Sequence, residues 1–530
     1  MSAIRAEQGT HSRRAQTLVP ALLVLLSGPW TAWLGSCRPS RPMPIRWREC
    51  QHRLSRPPAR RVTTPMATIL RRTLLEPLDS WLSLPAHDPL DVNELDFVAD
   101  SSWYRNPVGG PAALYGYRGS AGKTSPFAAV PSLVGSWSVL AAGLVHGRLW
   151  LAIRDGRSRA FVLTFDALGG DGLATGSAYL VTRMLGELGY LVPRRSVVLF
   201  SPRRLSWPDR VAWCPSQAPV TRLGLSQLTP GRKGCRARGR AGARRALSRV
   251  SRMADGTLRA LSTKLETGRD LGPYPLFGVR RDDPNDRIPH ERRRSIRALR
   301  LIGSWLDLRS LSESTGRDVF SAGRLHHFLW FLGGGLGVSQ AGQPWNRARL
   351  AAGSRAWPAW PKPTAAWQPS VCHPALSVAQ GPDMLWAARL LASLSPDRIR
   401  SLVEQAYLPR PLADSLTARL IAQRQVAMRL GASLACAAGA FRIERPGRGR
   451  SRLCFRDLFP GPSVPRRFSV RWAGTKRTMR PGHGLACLPL PRSHGRWLRV
   501  SISDPADHEM EVLLERRNPT TWRIASIRRF

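Results

Sequence analysis

Within ten residues the chain gathers Asp282, Asp283, Asp286, His290 and Glu291 beside Arg292, Arg293 and Arg294. Carboxylates and an imidazole at that spacing could hold a divalent cation, or with the arginines a phosphate. The plainer account is a helix entrance, where carboxylates suit the positive end and the arginines pair locally. His326 and His327 sit in an apolar strand beside Phe328 and Trp330; without Cys or acidic neighbours they make a weak metal signal, one ring facing the core and one the solvent. Gly333 to Gly335 lack the Lys-Ser/Thr that completes a phosphate loop, and Gly119 to Thr124 have their first Gly too close to Lys123, so both read as turns. No Gly-x-Ser-x-Gly elbow supports a serine hydrolase. The eight cysteines (37, 50, 214, 235, 372, 436, 454 and 487) include no CxxC pair, so no structural metal site is expected and no pairing follows from the spacing.

These groups must be carried by a chain of 530 residues and 58.7 kDa, enough for several domains, with 43% hydrophobic residues to bury. That composition excludes a wholly disordered or fibrous protein. The formal charge is +46, yet Lys stands only at 123, 233, 264, 362 and 476, so the basic excess is almost all Arg. GC-rich codons give such a bias as readily as selection for charge, and the charge by itself names no partner.

Trp150 to Ile153, the turn pair Asp155-Gly156 and Ala160 to Phe165 predict a hairpin. A helix should follow through Val181, Met184, Leu185 and Leu188 to a stop at Gly189, and then a strand Ser196 to Phe200. Ile296, Leu299, Ile302 and Leu306 form a helical stripe that Pro289 could open and Asp286 could cap. Further helices are expected at Met384 to Leu394, at Pro396 to Ala406 with Ser395 as cap, and from Pro411 to Gly431. After about residue 445 the period returns to two, which predicts a terminal β-subdomain. Trp357, Trp360 and Trp367, alternating with prolines, read as an extended loop packed on the helical half. Residues 230–252 carry Arg232, Lys233, Arg236, Arg238, Arg240, Arg244, Arg245, Arg249 and Arg252 without one aromatic. That pattern is a solvated basic insertion, not a stacking platform, so no nucleic-acid partner is expected.

At the start, Arg5, Arg13 and Arg14 precede the apolar run Leu18 to Leu26, and Leu34-Gly35-Ser36-Cys37 follows. Gly28 and Pro29 interrupt the run well short of the ~20 apolar residues a spanning helix needs. The order is that of a signal peptide, and the last four residues resemble a bacterial lipobox. The expectation is an exported protein of the cell envelope, held to the membrane by lipid on Cys37 and facing the periplasm.

Several segments resemble a family of uncharacterised bacterial exported proteins with a protein-kinase-like core of the HipA type. Asp91 to Asn106 (DVNELDFVADSSWYRN) resembles that family's "VPDSSWFTNR" stretch; Phe161 to Asp166, Leu173 to Gly176 and Leu188 to Tyr190 resemble "LIKFDP", "LATGAEV" and "LGYNVPE". Phe277 to Asp286 (FGVRRDDPND), with Pro289 to Arg294 and Leu299 to Leu301, is the most specific match, and Asp383 to Ala388, Ile399-Arg400 and Trp522 to Ile524 continue it. The resemblance implies an α+β fold with two kinase-like lobes: a signal segment and lipobox (1–37), an Arg/Pro-rich linker (38–89), a β-rich lobe (90–275) with the basic insertion 230–252, a helical lobe (276–440) and a β-subdomain (441–530).

Kinase chemistry needs a Lys steadied by a Glu, two metal ligands and a carboxylate that orients the acceptor. The resemblance aligns Thr164 with the strand Lys and Ala178 with the helix Glu. Arg309 and Ser310 take the two loop Asp positions, Thr315 the Asn, and Phe331 the metal-binding Asp. Groups that act as a unit are not replaced by incidental carboxylates, and Phe cannot ligate a hard cation. The expectation is therefore a pseudokinase-like binding or scaffold module with no catalytic residue, resident metal or cofactor, bound to the membrane through its lipid and to an unidentified protein or envelope ligand. Two alternatives stand beside it. One is a divergent phosphotransferase that takes ATP with Mg²⁺ and recruits Asp307, Glu313, Asp318 or the Asp282 to Glu291 cluster; the other is an Arg-rich envelope protein that binds anionic polymers.

Overall fold

A computed structural model describes residues 52–61, 88–107, 130–145, 147–214, 239–265, 268–330, 334–339, 356–370, 373–445, 450–460, 466–481, 484–491, 495–518 and 521–530. Cys37, Phe331 and the turn at 119–124 lie outside the described residues. The fold is mixed α+β.

Strands β1 (Trp137–Val145), β2 (Arg148–Arg154) and β3 (Ala160–Thr164) run as an antiparallel meander, and the expected hairpin is β2 with β3. Helix α1 (Leu173–Glu187) follows, with Val181, Met184, Leu185 and Leu188 all buried. Its stop is Gly189, at φ +98, where a Cβ would stand 2.3 Å from the carbonyl of Arg105. Strand β4 (Arg195–Phe200) returns to the sheet, which β5 (Leu205–Ser206), β6 (Ala212–Cys214) and β7 (Leu258–Lys264) complete in the order β4-β7-β3-β2-β1-β5, with β6 also on β1.

Alternation gives this sheet two different faces. Leu149, Leu151, Ile153, Phe161 and Leu163 face Ala243 and Leu247 of helix α2 (Arg240–Leu247). The basic stretch is therefore not a solvated insertion throughout: among its described residues the arginines are exposed or half-exposed, but two apolar residues one turn apart, Ala243 and Leu247, dock residues 240–247 on the sheet. Trp207, just after β5, and Trp213 of β6 pack beside it, so aromatics missing from the run itself are supplied in space.

Next come β8 (Arg269–Asp270), the short helices α3 (Arg294–Arg297) and α4 (Leu299–Leu306), and the hairpin β9 (Gly316–Ser321) and β10 (Arg324–Leu329). Helices α5 (Pro374–Ser377), α6 (Gly381–Ser393), α7 (Pro396–Glu404) and α8 (Arg410–Ala432) share one large core with α1 and α4. Ser395 caps α7 as its sequence predicts, accepting from the Arg398 amide at 3.1 Å. The tryptophan-proline stretch is extended and docked: Trp357 donates to the Leu336 carbonyl (2.7 Å) and Trp360 to the Trp305 carbonyl (2.9 Å). Among the described residues no helix is long and apolar enough to cross a membrane.

The remaining strands are β11 (Ala438–Glu444), β12 (Arg452–Asp457), β13 (Phe468–Trp472), β14 (Thr475–Met479), β15 (Ala486–Pro489), β16 (Trp497–Ser503), β17 (Glu509–Asn518) and β18 (Thr521–Arg529). They form a three-stranded and a five-stranded sheet around one shared core. Cys454 and Cys487, directly opposed on β12 and β15, are joined by a disulfide, and Cys214 is disulfide-bonded as well.

Gly189→Ala tests how tightly α1 is stopped. Positive φ and the close carbonyl together should cost about 2–3 kcal/mol in urea unfolding; a variant as stable as the parent would show that the Arg105 segment yields.

Candidate functional site

The acidic cluster does not converge on one point. Asp282 accepts from Arg280 Nε and from the Ala59 amide, both at 2.8 Å, and Glu291 accepts from the Gly278 amide at 2.8 Å. Asp283 is buried and takes the Asn285 amide at 2.9 Å; burial pushes its carboxyl up. Only Asp286 and His290 meet, at 2.7 Å, with Arg293 donating to the other Asp286 oxygen at 3.1 Å and the Arg280 amide to the first at 2.6 Å. Asp286 is thus no helix cap. That role belongs to Asp91, which receives the amides of Arg294 (2.6 Å) and Ser295 (3.1 Å) at the start of α3. Burial alone would raise the Asp286 carboxyl, but His290, Arg293 and His327 hold it well below the ordinary carboxylate range.

His327 is buried and bonds Asp318 at 2.6 Å, while His326 is half-buried, so the pair divides between core and edge as its alternation predicts. Arg280 donates to the second Asp318 oxygen. Trp103 sits between the two histidines, stacked on His327 (4.1 Å between centroids) and edge-on to His290 (4.4 Å) and Tyr274 (4.6 Å). Arg280, Asp286, His290, Asp318 and His327 therefore meet around Trp103 as one buried block of paired charges. Among the described residues the one His/Cys/Asp/Glu triple close enough for a metal is Glu444, Cys454 and Cys487, and there the two thiols are joined to each other.

Beside this block, Arg294 donates to Asp96 and, at 3.1 Å, to Asp383 of α6. Asp96 also receives Arg529 of β18 at 2.7 Å. Asp96, Arg294 and Arg529 escape sequence reasoning because their partners lie hundreds of residues away.

The positions aligned with kinase groups lie elsewhere. Thr164 ends β3, half-exposed, paired with Trp150 on one side and Leu261 on the other. On that face Trp150, Ala152 and Val162 pack with Leu265 and with Val319 and Trp330 from the β9–β10 hairpin. Trp150 is 1% exposed and Trp330 2%. Ala178 is buried on α1, next to Ser177, which donates to the Gly335 carbonyl at 2.8 Å. Leu336 donates to the Leu306 carbonyl at 2.7 Å, so α1, the end of α4 and the segment after the hairpin touch. In the loop after α4, Arg309 bonds Asp307 at 2.8 Å, and Thr315 turns its hydroxyl back onto the Ser312 carbonyl at 2.7 Å. Ser310 is half-buried. Of the spare carboxylates, Asp318 is held by Arg280 and His327, and Glu313 by Arg61 at 3.1 Å. Asp307 is buried, and that burial raises its carboxyl against the pull of Arg309.

No family model matches the chain, and no curated protein compared with it matches. Among solved structures, a Golgi casein kinase is similar at a TM-score of 0.27 and 8% identity, over 56% of this chain and 75% of that chain. A likeness of that size carries no argument about the fold.

Burial would raise the Asp96 carboxyl, but Arg294, Arg529 and Arg389 hold it down at about 2. A carboxylate depressed in the folded state stabilises fully above its unfolded value near 3.8 and loses that contribution as pH falls toward 2. Acid titration of unfolding should show about 2 kcal/mol disappearing in that window, with a smaller loss in Asp96→Asn. An unchanged acid limb in the variant would contradict the assignment.

Proposed function

We propose that the chain is an exported, lipid-anchored binding or scaffold protein with a kinase-like core that performs no phosphoryl transfer. The order of elements supports it: Thr164 on the third strand, Ala178 on the helix that follows, the 307–315 loop after a helix, and a hairpin just before residue 331. Kinases carry their Lys, Glu, loop carboxylate and metal-binding Asp in that order. The contacts of Ser177 and Leu336 bring three of those segments together.

The observation that carries the reading is the filled face beside Thr164. Where a nucleotide base would lie between sheet and hairpin, the indoles of Trp150 and Trp330 are buried against Val162 and Val319. Without a Lys at 164 and with the base side packed, neither half of a nucleotide has its usual partner. Disulfides at Cys454–Cys487 and at Cys214 support an oxidising compartment, as export would provide.

A divergent phosphotransferase is favoured by one residue, Asp307, a buried carboxylate in the loop where an acceptor would be oriented. Calorimetry with ATP and Mg²⁺ or Mn²⁺, paired with a radiolabelled transfer assay, separates the two readings. The expected result is no transfer and no metal-dependent heat; transfer lost in Asp307→Asn would overturn the proposal. For the anchor, metabolic labelling with a fatty acid in a bacterial host should mark the chain and fail in Cys37→Ser. Equal labelling of both would remove the lipid from the reading.

A further inference from the structure

Strands β11, β12 and β15 lie side by side, with β12 in the middle. Cys454 of β12 is directly opposite Cys487 of β15 and Arg442 of β11, and Glu444 stands two residues beyond Arg442. Alternation therefore sends these four side chains to one face, while Leu453, Phe455 and Leu488 take the other into the core. Cys454 is fully buried on that outer face, whereas Cys487 and Glu444 are half-exposed. One Glu444 oxygen lies 3.9 Å from Cys487 Sγ, and Arg442 pairs with the other. One donor atom from each of Glu444, Cys454 and Cys487 lies within 4.8 Å of the other two.

We propose that reduction of the Cys454–Cys487 disulfide opens a zinc site made of the two thiolates and the Glu444 carboxylate. The ladder keeps the two Cα atoms 4.1 Å apart, so the sulfurs stay neighbours after their bond is broken. Tetrahedral zinc with bonds of about 2.3 Å to sulfur needs them roughly 3.7 Å apart, which side-chain rotation reaches while the strands stay paired. Three anionic donors crowded together repel one another, and a dication relieves that repulsion. Two soft thiolates favour Zn²⁺ over Mg²⁺ or Ca²⁺. The bound set keeps a negative charge, which Arg442 offsets while orienting the carboxylate from outside. Three protein donors leave the fourth position of the ion open to water or a ligand.

The gate is a dithiol exchange. One thiolate of a dithiol reductant attacks the accessible Cys487 Sγ; the bond to Cys454 breaks, and Cys454 leaves as a thiolate. The reductant's second thiolate then attacks its own sulfur in the mixed disulfide and frees Cys487. The reductant departs as a disulfide, oxidised by two electrons, and its two protons pass to solvent when zinc takes the two thiolates. None of this depends on the kinase-like reading, because the donors all stand on β11, β12 and β15.

The test compares the full chain in its oxidised form and after reduction by a phosphine that is removed without air. Each form is titrated with Zn²⁺ against a chromophoric chelator, and with Co²⁺ by absorbance. The reduced parent should take up one equivalent that is missing from the oxidised parent and from the double variant Cys454→Ser, Cys487→Ser, and its Co²⁺ form should show thiolate charge-transfer absorption. Glu444→Gln should bind at least about tenfold more weakly, since even an outer partner of a metal is worth that much. It keeps both cysteines, so it stands in if the double variant does not fold. No extra equivalent in the reduced parent, an equivalent retained without the two cysteines, or an affinity unchanged in Glu444→Gln would each overturn the site. Treating the native chain with a dithiol, then trapping thiols with a maleimide on unfolding, should mark both cysteines; an unmarked pair would overturn the gate.

Discussion

Arg294 is the residue through which the chain is tied together. One buried guanidinium reaches Asp96 in an early loop and Asp383 on α6, while its own amide is capped by Asp91. Asp96 passes the connection on to Arg529 in the last strand. A buried guanidinium is tolerable only while carboxylates surround it, and removing one partner strands the other at a cost of about 3–5 kcal/mol. The arrangement gives little net attraction over a well-packed apolar core, but it admits one docking geometry. That explains why the residues with most apparent chemistry, from Asp282 to Arg294, spend it on each other.

The seven-stranded sheet and helix α1 follow the opposite logic. Around Asp166 every lone pair is used: two amides of α1, a hydroxyl and Arg259, which also reaches the carbonyls of Ala406 and Tyr407. This knot fixes the angle between helix α1, the sheet and the helical half without a Lys–Glu pair. Ala178 and Thr315 are then spent on packing and on a local turn bond.

How far this could be read from sequence depends on the range of each interaction. The stripe Val181 to Leu188, the stop at Gly189, the cap at Ser395 and the hairpin of β2 and β3 are local, and their signals lie within a few residues. The docking of α2 hid inside an arginine run because Ala243 and Leu247 look like spacers until the sheet beneath them is known. Asp286 was legible as a carboxylate near a helix, but its choice of His290 and Arg293 over the helix amides depended on Asp91 arriving from 203 residues away. At the candidate site, Thr164 could be placed because apolar neighbours pin its register.

The bond from Arg529 to Asp96 spans 433 residues, and Ile527 adds a 2.7 Å backbone bond to the Glu94 carbonyl. Both contacts form only after the segment that carries Ile527 and Arg529 has emerged from the ribosome. The early loop around Asp96 thus stays without its Arg529 partner until a strand 433 residues further along has been made.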